Sequence, residues 1–112
     1  MRYVLMFVDN ARYAEDWEAR SEDEKQDLYA RVEKWLDEHA DRIVHKTRLQ
    51  GGETATTVRL GGGEPLVTDG PFVEGKEVVS GYVEVEVGGL DEAVAMAKTW
   101  PSCPTVEIRP VM

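Results

Sequence analysis

Residues 3–8 read YVLMFV, an uninterrupted apolar run of six residues that Asp9 ends. This run is too short to cross a membrane, but it has the usual length of a β-strand. Side chains of a strand alternate between its two faces, so residues 3, 5 and 7 share one face and residues 4, 6 and 8 share the other. Both faces are apolar, and we therefore predict a strand that is covered on both sides.

The composition describes one acidic, folded domain spanning residues 1–112. The chain is 42% hydrophobic and 31% charged, with a formal net charge of −9, a balance typical of globular rather than disordered proteins. Nucleic-acid binding usually relies on a basic stripe, and the densest basic stretch, residues 42–48, is short. DNA and RNA are therefore not expected partners.

The cysteine and the N-terminal residues favour a cytoplasmic protein. Cys103 is the single cysteine and cannot form an internal disulfide, while the N-terminal run lacks the small-residue cleavage site of a secretory signal. His39 and His45 are far from Cys103 in sequence, so no zinc-type spacing appears. We expect neither a metal, nor a cofactor, nor a membrane partner.

The rest of the chain divides into helix and strand signals. Ser21 and Glu24 form a capping box that starts a predicted helix at about 22–40, after a stretch from 9 to 20 predicted as a loop with a helical turn around Trp17. Glycines at 61–63 predict the turn of a hairpin. The other predicted elements are strands at 42–49, 54–60, 65–68, 78–87 and 105–111, and a short helix with Asp91 as its N-cap, which Pro101 ends.

This order predicts an α+β protein with a ferredoxin-like split βαβ fold and an inserted β-hairpin. Both helices should cover one face of an antiparallel sheet, which leaves the second apolar face of the first strand open. A second copy of the chain is the simplest cover, and it would form a two-fold homodimer with a cavity between the sheets. The alternative is that the inserted hairpin folds over that face.

Five short segments carry a family resemblance. Residues 67–77 (VTDGPFVEGKE) are followed by Gly81-Tyr82 and Cys103-Pro104, and residues 54–59 and 106–111 extend the match. Together these stretches closely resemble the DGPF-type members of the YCII-related protein family. The chain departs from the usual family pattern at Gly75, where Ser or Thr is commoner.

The resemblance implies a dimeric α+β barrel of ferredoxin-like subunits. It also implies that Asp69 is the counterpart of the signature acid of the family. Some members are suspected enzymes with an acidic residue and a histidine near a cleft, and related domains occur beside sigma-factor genes or modules.

The loop 69–72 is the first candidate site. Asp69 would act as a general acid or base, because a carboxylate at the mouth of an apolar cavity is desolvated and holds its proton more tightly. Gly70, Pro71 and Phe72 would contact the ligand. The alternative is structural: Asp69 caps an Asx turn, Gly70 supplies an unusual backbone angle, and Phe72 anchors the loop.

Four further side chains are candidates. His45, whose unperturbed pKa lies near neutrality, is the best proton shuttle, although a lone histidine is more often a packed or surface residue. Lys76 and Glu77 could hold and orient an anionic ligand, or they could be a solvated pair at a strand entrance. Tyr82 shares a strand face with Glu84 and would offer a polar group to the space between subunits, or simply face solvent.

Two functions follow from these residues. In the first, the homodimer binds or transforms a small organic molecule, with Asp69 as the acid or base. In the second, which rests on the family associations alone, the chain is a regulatory or interaction module linked to transcription, without catalysis.

Overall fold

The computed structural model describes residues 1–70 and 77–112 as an antiparallel sheet with helices on one face and a separate hairpin. The elements in chain order are β1 (Arg2–Asn10), α1 (Ala11–Ala19), α2 (Glu22–Glu38), β2 (Ile43–Arg48), a 3-10 turn (Gly52–Thr54), β3 (Thr56–Arg59), β4 (Leu66–Asp69), β5 (Glu77–Glu86), α3 (Leu90–Lys98) and β6 (Thr105–Pro110).

The four-stranded sheet has the order β2-β5-β1-β6, and each neighbouring pair of strands is antiparallel. This is the strand order of a ferredoxin-like split βαβ unit, with β3 and β4 inserted as a two-stranded hairpin. The predicted α+β class, the ferredoxin-like split βαβ fold and the inserted hairpin are confirmed.

The hydrophobic core lies between the sheet and two helices. Leu5 faces its partner Val83 across β1 and β5, and both side chains are almost wholly buried. Trp35 of α2 and Met96 of α3 cover them. The indole N–H of Trp35 donates to the Met96 carbonyl at 3.1 Å, so the two helices are held in one position over the sheet. We call this side of the sheet the core face.

The capping box predicted for α2 is present. The Ser21 hydroxyl accepts the Glu24 N–H at 3.1 Å, and the Glu24 carboxylate accepts the Ser21 N–H at 3.2 Å. Both bonds satisfy N–H groups that the first helical turn leaves without partners. The helix ends at Glu38, close to the predicted end.

Two local predictions are wrong. Residues 11–19 form helix α1 rather than a loop, because the Asn10 side chain caps its start by accepting the Tyr13 N–H at 2.8 Å. The helix α3 begins at Leu90 with Gly89 as its N-cap, not with Asp91. There the Glu92 carboxylate accepts the Gly88 N–H at 2.8 Å, which ties the residue before the N-cap to the first turn of the helix, and no side chain caps the helix itself.

A β-bulge shifts the pairing of β1 with β5. Phe7 is opposite Gly81 and Val8 is opposite Val79, which leaves Ser80 as the extra residue. On the other side of β5, a Cβ atom added to Gly81 would lie 2.8 Å from the Thr47 carbonyl oxygen. The close approach of β2 therefore requires glycine at this position.

The opposite side of the sheet, which we call the outer face, carries Val4, Met6, Tyr82 and Glu84. The hairpin does not bury its own apolar residues on the sheet of the same chain, because Val58 and Val67 are 52% and 62% exposed. The radius of gyration is 15.9 Å, above the roughly 13 Å expected of a compact domain of this length. In the described part of the chain, no helix is long and apolar enough to span a membrane.

Candidate functional site

A cleft of about 1090 Å³ opens on the core face, between α1, α2 and the ends of β1, β2 and β5. The chain has nine aromatic residues, two Phe, three Trp and four Tyr. Five of them border the cleft from the core face: Phe7, Tyr13, Trp17, Tyr29 and Trp100. A large cavity with many aromatic residues and a few polar groups is the usual form of a small-molecule site.

Asp9 is one of three acidic residues at this cleft, with Glu18 and Glu53. It follows the apolar run of β1, is half-buried and lies beside the bulge. The hydroxyl of Ser80 donates to the Phe7 carbonyl at 3.2 Å and reaches an Asp9 carboxylate oxygen at 3.5 Å. Burial raises the pKa of the Asp9 carboxyl above its ordinary value, and the Ser80 hydroxyl lowers it by a smaller amount. More of Asp9 is therefore protonated at a given pH than of a free aspartate.

Tyr13 supplies a neutral hydroxyl next to this acid. The first turn of α1, which Asn10 caps, places the Tyr13 hydroxyl 2.8 Å from the Ser102 hydroxyl. Burial raises the pKa of Tyr13, the Ser102 bond opposes the rise, and the negative charge of Asp9 adds to it. The phenol thus keeps its proton and can donate a hydrogen bond to a ligand oxygen.

Trp100 borders the cleft, and Cys103 lies near Asp9. The Trp100 ring is stacked on Phe7 with centroids 3.7 Å apart. The Cys103 thiol donates to the Thr105 carbonyl at 3.0 Å. Burial, with a smaller effect from the Asp9 charge, raises the pKa of Cys103, so the thiol is protonated and its sulfur is a weak nucleophile.

The opposite wall of the cleft is basic. Lys46 and Arg48 are two residues apart on β2 and lie opposite Val83 and Gly81, which places both on the core face. The Arg48 guanidinium lies 4.7 Å from the centre of the Tyr29 ring, at a distance typical of a cation–π contact.

Asp69 and Gly70 lie outside this cleft, at the end of β4. Asp69 is exposed and pairs with Thr56 across the hairpin. Gly70 has a φ of 95°, the unusual backbone angle predicted for it. Its N–H donates to the Ala55 carbonyl and its carbonyl accepts the Thr57 hydroxyl, each at 2.7 Å. The hairpin backbone therefore holds this turn in place.

His45 and Tyr82 come together on the outer face, with ring centroids 5.8 Å apart. The ring Nε2 of His45 lies 3.0 Å from the Thr47 hydroxyl, and the side chain is exposed. Glu77 is exposed at the start of β5, opposite Asn10. Across residues 1–70 and 77–112, no hydrogen bond or ion pair joins Asp69 to His45. The candidates Pro71, Phe72 and Lys76 lie outside the described residues.

Sequence reasoning missed the acid and the phenol of the cleft. A signal for Asp9 was present, because a carboxylate that directly follows an apolar strand lies at the edge of the core. Tyr13 was missed because residues 9–20 were predicted as a loop, although Asn10 three positions before it is a typical N-cap. Within the described ranges, no three His, Cys, Asp or Glu side chains are grouped closely enough to hold a metal ion.

Comparisons with known proteins agree with this architecture. The family profile of the YCII-related domain matches residues 1–112. The chain is 32% identical to an uncharacterised protein of Rhizobium meliloti (strain 1021) over 117 aligned residues, 99% of this chain and 92% of that protein.

A solved structure shares the fold at low sequence identity. It is the 5-chloro-2-hydroxyhydroquinone dehydrochlorinase of Burkholderia phenoliruptrix AC1100, in complex with 2,5-dihydroxybenzoquinone. The superposition has a TM-score of 0.50 at 13% identity and covers all of this chain and 94% of the other. The match of the family profile over the whole length, together with the bacterial relative, shows that this chain belongs to the YCII-related domain family.

Proposed function

We propose that this protein binds a small organic molecule in the core-face cleft and that Asp9 transfers a proton to or from it. The observation that carries the proposal is the half-buried Asp9 carboxyl with a raised pKa at the wall of an aromatic cleft. A general acid or base is most effective when its pKa lies near the working pH, and partial burial moves a carboxyl in that direction.

Tyr13 completes the proposed chemistry. While Asp9 takes a proton from a ligand carbon or oxygen, the Tyr13 phenol can donate a hydrogen bond to a ligand oxygen on which negative charge develops. Ser102 fixes the phenol from the other side at 2.8 Å. This arrangement suits proton-transfer reactions such as isomerisation or elimination next to a carbonyl or hydroxyl group.

The comparisons support a small molecule as the ligand. The fold neighbour is by its name a dehydrochlorinase and was solved with a small quinone. At 13% identity this likeness concerns the fold, so the argument for chemistry rests on Asp9 and Tyr13 of this chain.

Asp69 is the rival acid within the same proposal. It is exposed on the hairpin of a single chain, so it would need a cover, such as a second copy of the chain, to be desolvated. The same substitution, aspartate to asparagine, at each of the two positions shows which carboxyl transfers the proton.

We also propose that the chain is a homodimer. Two apolar groups support this assembly: Val4 and Met6 on the outer face, and the exposed pair Val58 and Val67 on the hairpin. Contact between two outer faces would cover the first group, and a hairpin reaching the neighbouring copy would cover the second.

The test is proton exchange catalysed by the protein. Small ketones, phenols and carboxylic acids are incubated with the protein in D₂O, and deuterium incorporation at carbon is followed by ¹H NMR. We expect exchange of at least one compound, and we expect Asp9→Asn to slow it by about 10²–10⁴-fold, the usual contribution of a general acid or base. Asp69→Asn, an identical change on the hairpin, should leave the rate within about twofold.

The proposal is wrong for Asp9 if both variants exchange at the wild-type rate. If Asp69→Asn alone abolishes exchange, the acid is Asp69 and the site is on the hairpin. Circular dichroism of each variant verifies that the fold is intact.

A further inference from the structure

We infer that the ligand of the cleft is a flat, single-ring organic anion whose negative group is held by Lys46 and Arg48. This inference rests on the proposed function and adds the class of ligand. It follows from the charges, the rings and the strand spacing of the described residues.

Among the described residues, the two cations have no carboxylate partner. In a chain with 22 acidic and 13 basic residues, five Lys or Arg side chains of the described ranges form ion pairs with Asp or Glu. Within these ranges, Lys46 and Arg48 form none, like Arg12, Arg20, Lys25 and Lys98, but only these two border the cleft. The carboxylates that border the same cleft are Asp9, Glu18 and Glu53, and none of them lies within ion-pair distance of either cation. Both cations are therefore available to an anion from outside.

The guanidinium of Arg48 is also held in position. It lies over the Tyr29 ring at 4.7 Å, and Tyr29 in turn contacts Trp17 with ring centroids 5.4 Å apart. A guanidinium held in this way loses less conformational entropy when it binds a carboxylate through its two parallel N–H groups. Lys46 on the same strand face adds a second positive charge.

The neighbouring walls favour a flat ligand. Trp17 and Tyr29 on the helix side, and Trp100, which stacks on the buried Phe7 on the sheet side, border the cleft with apolar rings, against which aromatic rings pack favourably.

The strand spacing sets the size of the ligand. Arg48 is level with Gly81, which is level with Phe7, and Asp9 is two residues beyond Phe7. Strands about 4.8 Å apart and a rise of about 3.3 Å per residue place the Cα atoms of Arg48 and Asp9 roughly 12 Å apart. Both residues border the cleft, and a span of this order matches one six-membered ring with one charged substituent and a hydrogen bond at each end. A ligand bound by its anion at Arg48 therefore presents its far edge to Asp9 and Tyr13.

The test uses three probes of similar size. Benzoate is flat and anionic, benzamide has the same shape without the charge, and cyclohexanecarboxylate has the charge without the flat ring. Dissociation constants are measured by NMR titration of the complete chain. We expect benzoate to bind at least about tenfold more tightly than either of the others, and its affinity to fall as the salt concentration rises.

Substitutions locate the anion. Arg48→Gln and Lys46→Gln should each weaken benzoate about tenfold, the usual effect of removing a charge-assisted hydrogen bond, and should leave benzamide unchanged. Lys98→Gln, the same change of charge at the exposed end of α3, should have no effect on any probe.

Three results would overturn the inference: no benzoate binding at millimolar concentration, equal binding of benzoate and benzamide, or unchanged benzoate affinity in Arg48→Gln. These results are distinct from a failure of the proposed function. If only neutral compounds exchange protons in a way that depends on Asp9, the proposed function stands and the anion site is wrong. If benzoate binding depends on Arg48 but proton exchange does not depend on Asp9, the anion site stands and the proposed function is wrong.

Discussion

At the scale of single residues, Asp9 links the cleft to the stability of the protein. Its folded-state pKa is raised above the ordinary value of 3.8. Below pH 3.8 the carboxyl is protonated in both folded and unfolded chains. Between pH 3.8 and the folded-state pKa, the carboxyl is more fully protonated in the folded chain than in the unfolded chain. The free energy of unfolding therefore falls as the pH rises through this range.

We therefore predict that Asp9→Asn gains stability relative to the wild type as the pH rises from about 3 to 7. The gain should be less than about 1 kcal/mol, because water partly screens a half-exposed carboxylate. Urea denaturation at several pH values measures it. In Ser80→Ala, which lacks the hydroxyl that lowers the Asp9 pKa, the loss of stability with rising pH should be larger than in the wild type. A difference between Asp9→Asn and wild type that does not change with pH would contradict this account.

At the scale of secondary structure, the pairing of β2 with β5 depends on Gly81. Because an added Cβ would lie 2.8 Å from the Thr47 carbonyl oxygen, we expect Gly81→Ala to push β2 away and to lower the free energy of unfolding by about 1–3 kcal/mol. The substitution should also weaken ligand binding, since β2 carries Arg48. Gly62→Ala, in the hairpin turn with no atom within 4 Å of the added Cβ, is the matched control and should change stability by less than about 0.5 kcal/mol. If both variants unfold at the same denaturant concentration, the close approach of β2 to Gly81 is refuted.

At the scale of the whole molecule, the outer face predicts self-association. Sedimentation at micromolar concentration should return a particle of about twice the 12.6 kDa chain mass. Met6→Glu, which places a charge at the centre of this face, should weaken the dimer at least about tenfold. Leu90→Glu, at a site on α3 that is 52% exposed, should leave it intact. A lone 12.6 kDa particle for the wild type would exclude the homodimer.

Much of the architecture was readable from the sequence because the relevant signals are local. The capping box at Ser21 and Glu24, the alternating strand at 78–87 and the glycines at 61–63 each act within a few residues. The failures were also local. Residues 11–19 have weak helical periodicity, and their helix depends on a single asparagine cap and on the partial burial of Tyr13 and Trp17 at the cleft.

The candidate site, by contrast, depends on tertiary structure. The sequence by itself determined the order of the strands and of the helices α2 and α3, the two apolar faces of β1 and the family of the chain, since these follow from the spacing of neighbouring residues. Only the tertiary structure brought together Asp9, Ser80 and Ser102, which are separated by up to 93 positions, and turned Lys46 and Arg48 toward the same cleft. The physical reason is that desolvation of a carboxyl depends on atoms brought close by folding, and no local pattern encodes them.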